Sequence, residues 1–304
     1  MSTKKELCLG GQGGRPDWYV AVQQRVDNAL STHLKKLEAG FDSHSRLGDA
    51  VHYSVALPGK RVRPVLVLES CRLCGGDDET ALAAGIALEC VHVFSLIHDD
   101  LPAMDDDELR RGQPCNHKVF GEALAILAGD WLAAYPFALL AREYPPELAA
   151  RLTATLANGM LGMVEGQSAD VVSTELATDP ELVKYIHLHK TARLLEVACR
   201  MGGLCAGAHD EVLEAVTSYG RHLGLAFQIA DDLLDVTGNT ATLGKQVGKD
   251  ANAAKQTYPA AFGVEQSRTR AWQEITTALD ALKPFGESAQ RLRQLAQYVV
   301  IRDR

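Results

Sequence analysis

The chain has 304 residues, 46% of them hydrophobic and 6% aromatic, and a formal net charge of −8. Such a length holds one large domain or two small ones, with ample apolar content for a sizeable core. The acidic balance argues against a nucleic-acid partner, because a phosphate backbone needs a basic face, although basic residues cluster locally at Lys60-Arg-Val-Arg63 and Arg110-Arg111.

Alanine and leucine abound and β-branched runs are scarce, which favours helix over sheet. Residues 1–14 are polar and glycine-rich, with no apolar signal-peptide core. They are read as a flexible tail, residues 15–304 as one domain, and the location as cytoplasmic. Pro16-Asp17 opens a first helix, with Val22, Val26, Leu30, Leu34 and Leu37 at helical spacing and Gly40 as its stop. A second runs from about Ser45 to Pro58-Gly59, and a third from Val62 to Gly75-Gly76. Asp77 or Asp78 caps a long fourth helix with Leu82, Ile86, Cys90, Val93 and Ile97 on one stripe. A charged connection spans Pro102 to Pro114. Helices follow from Gly121 to Arg142, kinked at Pro136, and from Pro146 to Thr174. Asp179-Pro180, a cap before a first-turn proline, opens another through Cys205. The next covers His209 to Val236, then a Gly/Lys-rich loop spans Gly238 to Lys255, and two or three shorter helices end the chain. No strand alternation of any length is visible. Ala123–Ala141 is the least polar window, but it carries Asp130 and Pro136 and reads as a buried core helix rather than a stable membrane insertion.

Two aspartate clusters carry the chemistry: Asp99-Asp100-Leu-Pro-Ala-Met-Asp105 and Asp231-Asp232-Leu-Leu-Asp235. Each follows an apolar helical stretch. Carboxylates so close repel one another and resist burial, so a hard divalent cation with oxygen ligands is expected, magnesium if phosphates are also bound. Asp231 and Asp235 share one helix face, with Asp232 beside them. Asp99 and Asp105 would fall on different faces of an unbroken helix, but Pro102 should interrupt it and let Asp105 fold back. Asp99 and Asp100 also end a helix where its dipole disfavours anions, a local conflict that hints at function. Asp105-Asp-Asp-Glu108 taken alone reads as a solvated acidic face. Arg110-Arg111, Lys60 with Arg63, and Lys190, Lys245 and Lys249 supply cationic grips for a substrate carrying diphosphates. A di-iron bundle would need two Glu-x-x-His pairs, and only Glu89/His92 is present. Seven cysteines include one isolated pair, Cys71-x-x-Cys74, read as buried small residues.

These stretches resemble the trans-isoprenyl diphosphate synthases of the bacterial farnesyl diphosphate synthase type. The resemblance rests on Gly59-Lys-Arg-Val-Arg-Pro64, His92 through Gly112, Gly166-Gln-Ser-Ala-Asp170, Lys190-Thr191, Phe227-Gln-Ile-Ala-Asp-Asp-Leu-Leu-Asp235, Gly238 through Lys245 and Lys255-Gln-Thr-Tyr-Pro259. It covers about Arg15 to the C-terminus. It implies the isoprenoid synthase fold: an all-α, single-domain bundle of about ten or more helices around a deep central cavity, usually a homodimer. It implies magnesium-dependent condensation of isopentenyl diphosphate with an allylic diphosphate, with two to three ions and manganese as a substitute. Asp99, Asp105 and Asp231 would coordinate the ions, with Asp100, Asp232 and Asp235 as further candidate ligands. Arg110 and Lys190 would hold the allylic diphosphate, Lys245 would close over it, and Lys255 joins the substrate-binding set. Lys60, Arg63, His92 and Arg111 would hold isopentenyl diphosphate, and Thr191 and Gln228 would line the reacting carbons. One departure is Ala230, where the family often has a second glutamine.

Phe94 and Ser95 precede Asp99 by five and four residues, roughly 6–8 Å deeper at about 1.5 Å rise per residue. Phe94 is expected to be the floor on which chain growth stops, although ordinary core packing is its plainer role. An aromatic there, with the extra residues near Pro102 and Ala103, resembles synthases of C15 products. Farnesyl diphosphate is the expected product, geranylgeranyl diphosphate the alternative, and a non-catalytic subunit of a heteromeric synthase the remote one. His98 is read as a hydrogen-bonding neighbour of the cluster in preference to a general base.

Overall fold

The computed structural model describes residues 15–38, 41, 45–173, 177–237 and 255–301. The tail at 1–14 and Lys245, assigned above on sequence, lie outside the described residues.

The centre of the fold is helix α4 (Asp78–Asp99). Asp77 caps it by accepting from the Thr80 amide at 2.8 Å. It packs against α3 (Val62–Leu73), α6 (Glu122–Glu143) and α9 (Arg193–Cys205). Leu66, Leu68, Leu88, Leu132 and Leu194 are fully buried between them. Helices α1 (Asp17–Glu38) and α2 (Leu47–Ala56) close one side, and the short α5 (Asn116–Phe120) leads into α6. On the other side, α7 (Pro146–Val172) faces α8 (Pro180–Ile186) and α9. The long α10 (Asp210–Thr237) then lies against α9 and against α12 (Val264–Ala281). Helices α11 (Tyr258–Phe262) and α13 (Gln290–Ile301) complete the bundle, with a 3-10 segment at Lys283–Ala289.

Three details differ from the sequence reading. First, the helix expected from Asp179-Pro180 to Cys205 is interrupted by a π-helical stretch, His187–Ala192, between α8 and α9. Second, the charged connection contains a small antiparallel pair, β1 (Leu109–Arg110) and β2 (Gln113–Pro114). Two-residue strands are too short to alternate visibly; the turn between them makes the pair. Arg111 (φ 55°) and Gly112 (φ 77°) are both left-handed, as a type I′ turn requires. Third, α6 is buried on one side only. It and α4 are long and apolar enough to cross a membrane, and both pack within the bundle, but Ile126 and Leu127 of α6 remain 43% and 53% exposed.

Candidate active site

A cavity of about 1090 Å³ opens between α3, α4, α7 and α10 and receives the π segment at its side. One aspartate from each cluster lines it: Asp99 at the end of α4 and Asp231 on α10. Helix α4 ends there because Pro102 cannot continue it. The chain turns back, and the Asp105 amide donates to the Asp99 carbonyl at 2.9 Å, so the expected fold-back is present. Burial pushes the Asp99 carboxyl up to about 6; neighbouring Asp105 adds to this, while Lys190, Arg110 and Lys255 oppose it.

The other four acids sit differently. Asp100 is 3% exposed and turned away from the cavity; it accepts from Arg110 Nε at 2.9 Å and is ion-paired with Arg110 Nη2. Asp232 is 2% exposed; it accepts from Gln228 Nε2 (2.9 Å) and from the Tyr258 amide (2.9 Å), and lies 3.2 Å from His187 Nε2. Both carboxylates are engaged by protein donors, whereas Asp99 and Asp231 line the cavity. Asp105 is held by Lys255 Nζ at 3.0 Å, and Asp235 is buried a turn further along α10. Among the described residues, no three metal-binding side chains converge on one preformed position.

The cations divide into two groups. Lys60, Arg63 and Arg111 line the cavity with His92 beside them. Burial, followed by the Arg63, Arg111, Arg61 and Arg110 guanidinium groups, drives the His92 pKa well below its ordinary value, so the imidazole is neutral. Burial lowers Arg63 to about 10, against the pull of Glu89 and with the push of Arg111, and its Nε has no hydrogen-bond partner among the described residues. Positive charge is concentrated in this pocket. The second group stands on carboxylates. Arg110 also reaches Asp107 (2.9 Å), and Lys190 Nζ bonds Asp170 at 2.6 Å, with Lys255 3.8 Å from the same carboxylate.

Lys190 and Thr191 belong to the π segment. A π turn carries an extra residue and turns side chains out of α register, often at functional sites. Helix α7 passes so close that a Cβ on Gly166 would lie 2.8 Å from the Lys190 Cα, which explains the glycine of Gly166-Gln-Ser-Ala-Asp170. Thr191 Oγ1 donates to Gln228 Oε1 at 2.8 Å, and Gln228 is held in turn by Asp232. Phe94 and Ser95 line the cavity a turn below Asp99, as expected, with Ser95 Oγ bonded to the His92 carbonyl at 2.9 Å. Leu96, Met163, Val164, Val171 and Phe227 make much of the wall apolar.

Several site residues had no role on sequence. Gln167 lines the cavity with both amide atoms buried and without a hydrogen-bond partner among the described residues. Asp170 anchors two lysines. Arg61, 4% exposed and left-handed at φ 52°, bonds Asp27 (2.8 Å), Glu89 (2.6 Å) and the carbonyls of Val55 and Leu57 (3.1 and 2.9 Å). Burial alone would lower its pKa, but Glu89 and Asp27 hold it raised. The signal for Arg61 was present in Lys60-Arg-Val-Arg63, where sequence cannot tell which arginine turns inward. Glu89 is thereby an ion-pair partner, not a metal ligand.

A cavity with an aspartate from each cluster, a cationic pocket and an apolar wall is the expected architecture of a diphosphate-transferring site. Residues 44–298 match the polyprenyl synthetase family. The chain belongs to that family. It is 42% identical over 293 residues to a dimethylallyltranstransferase of Fischerella ambigua, covering 94% of this chain and 83% of that one. It is 43% identical over 261 residues to a geranylgeranyl diphosphate synthase of Cyanophora paradoxa, covering 84% and 87%. Among solved structures it resembles a geranyltransferase of Helicobacter pylori complexed with magnesium and isoprenyl diphosphate, with a TM-score of 0.81, 30% identity, and coverage of 94% and 97%. The chain is thus an all-helical prenyltransferase of the isoprenoid synthase fold.

Proposed function

We propose that this prenyltransferase condenses isopentenyl diphosphate with dimethylallyl or geranyl diphosphate to form farnesyl diphosphate, as a magnesium-dependent homodimer. The observation that carries the product assignment is Phe94, 9% exposed and lining the cavity a turn below Asp99. The competing product is geranylgeranyl diphosphate, the name carried by the Cyanophora relative.

The donor set suits magnesium. Asp99 and Asp231, with Asp105 and Asp235 next to them, offer only hard carboxylate oxygens. Magnesium is commonly held by one or two carboxylates plus substrate phosphates, not by an all-protein cage. The lack of a preformed three-ligand position among the described residues fits that habit. When bound, the ions would neutralise charge building on the departing diphosphate. The magnesium in the Helicobacter relative supports this choice.

The chain's own groups account for the rest. Lys60, Arg63 and Arg111, with neutral His92, bind the diphosphate of isopentenyl diphosphate. Arg110 and Lys190 turn from Asp100 and Asp170 towards the allylic diphosphate and stabilise it as the C–O bond breaks. The oxygens of Thr191 and Gln228 present their negative ends to the allylic cation. The isopentenyl double bond attacks that cation, and the proton then lost passes to the departing diphosphate. The apolar wall excludes water that would quench the cation.

The exposed Ile126 and Leu127 of α6 and Leu161 (63%) of α7 are apolar groups suited to a two-fold contact with a second copy. Incubation with isopentenyl and geranyl diphosphates and magnesium, with a chelator control, should yield a C15 diphosphate. Phe94→Ala should lengthen it; a C20 product from the wild type would move the assignment to geranylgeranyl diphosphate.

A further inference from the structure

The floor residue does not stand alone. His98, one turn after Phe94 on α4, also lines the cavity, and its ring meets the Phe94 ring edge-on, with centroids 5.5 Å apart and planes at 86°. The imidazole is drawn towards α6: Nε2 donates to the Ile126 carbonyl at 3.1 Å and lies 3.9 Å from Asp130. The ring fits there because α6 has glycine at position 129. A Cβ on Gly129 would lie less than 3.0 Å from Nε2, Cδ2 and Cε1 of His98, closer than real Cβ contacts come. Gly129 sits inside α6, where glycine costs about 1 kcal/mol relative to alanine. It is fully enclosed by its neighbours, so neither a turn nor exposure accounts for it.

We propose that Gly129 sets the width of the product channel by giving the His98 ring a recess in α6, and that His98 in turn props the Phe94 floor. This rests on the reading that the chain grows along α4 towards Phe94. A methyl group at position 129 fills the recess, breaks the hydrogen bond to Ile126 and drives the ring into the cavity. The channel narrows just above Phe94. Removing the ring does the opposite: it leaves Phe94 without its edge-on partner and widens the channel. An aromatic pair of this kind corresponds to a roughly two- to tenfold change in partition.

The test compares products from dimethylallyl and isopentenyl diphosphates for wild type, Gly129→Ala, His98→Ala, the double variant and Phe94→Ala. Gly129→Ala should raise the ratio of C10 to C15 product about two- to tenfold, and His98→Ala should raise the ratio of C20 to C15. The double variant should match His98→Ala, because the methyl group has no ring to displace. If Gly129→Ala is too unstable to assay, recovery of folding in the double variant supports the same clash. A wild-type product spectrum from Gly129→Ala, or a double variant that differs from His98→Ala, overturns the inference. If Phe94→Ala and His98→Ala both leave product length unchanged, the floor reading itself fails, which is a different outcome.

Discussion

Replacing Glu89 by glutamine removes the more deeply buried of the two negative charges paired with Arg61 in the cationic pocket. Glu89 is 1% exposed and bonded to Arg61 at 2.6 Å, and its field also reaches Arg63 and Arg111. The amide keeps the shape and can still accept from Arg61, so the change is chiefly one of charge. Breaking a buried ion pair costs about 3–5 kcal/mol, and the retained hydrogen bond places this case near about 3 kcal/mol. For a chain of 304 residues, that corresponds to a fall in Tm of about 5 °C. Pyrophosphate should offset part of the loss, because an anion in the pocket supplies the missing charge. The thermal shift it produces should therefore be larger in Glu89→Gln than in the wild type. Scanning calorimetry with and without pyrophosphate reads both effects. A fall of less than about 2 °C, or an equal pyrophosphate shift in both proteins, would refute the view that Glu89 balances the pocket.

Asp232→Asn should lower kcat by roughly 5- to 100-fold, from about 1–3 kcal/mol of lost hydrogen bonding, with little change in the magnesium concentration for half-activity. Asp231→Asn should raise that concentration, and equal magnesium shifts in the two variants would place Asp232 among the ligands. His92, neutral in the fold, takes up a proton in the unfolded chain below about pH 6.5. The unfolded state then binds more protons, so stability falls as pH drops, by up to about 1.4 kcal/mol per unit. Urea unfolding between pH 7.5 and 5.5 should show a smaller loss in His92→Gln, and parallel curves would contradict the assignment. Leu127→Lys should convert a dimer to monomer by light scattering, and an unchanged mass would place the interface elsewhere.

What could be read from sequence was what is locally determined. The caps at Asp77 and Asp179 bond to amides two or three residues on, at 2.8 and 2.9 Å, so their signal lies within one turn. Pro102 likewise announced the return of Asp105. Which acids face the cavity depends on distant partners. Asp100 is claimed by Arg110 across the charged connection, and Asp232 by Tyr258, 26 residues away. No spacing rule separates them from Asp99 and Asp231. The roles of Asp170 and Gln167 were hidden for the same reason, since each is set by what α7 meets. The π segment escaped because its composition is that of an ordinary helix, while the helix it passes at Gly166 is distant in sequence.

That π segment holds one extra residue within one long helical stretch. Deleting a single residue between His187 and Ala192 would regularise the helix and leave its composition almost unchanged. The flanking turns of α8 and α9 would keep nearly their phase, because the wide turn absorbs the extra residue. Lys190 and Thr191, drawn back into α register, would leave the cavity. Substitutions along this stretch can be absorbed one at a time. Its length cannot change, so residue number, more than residue identity, is what the active site draws from this part of the chain.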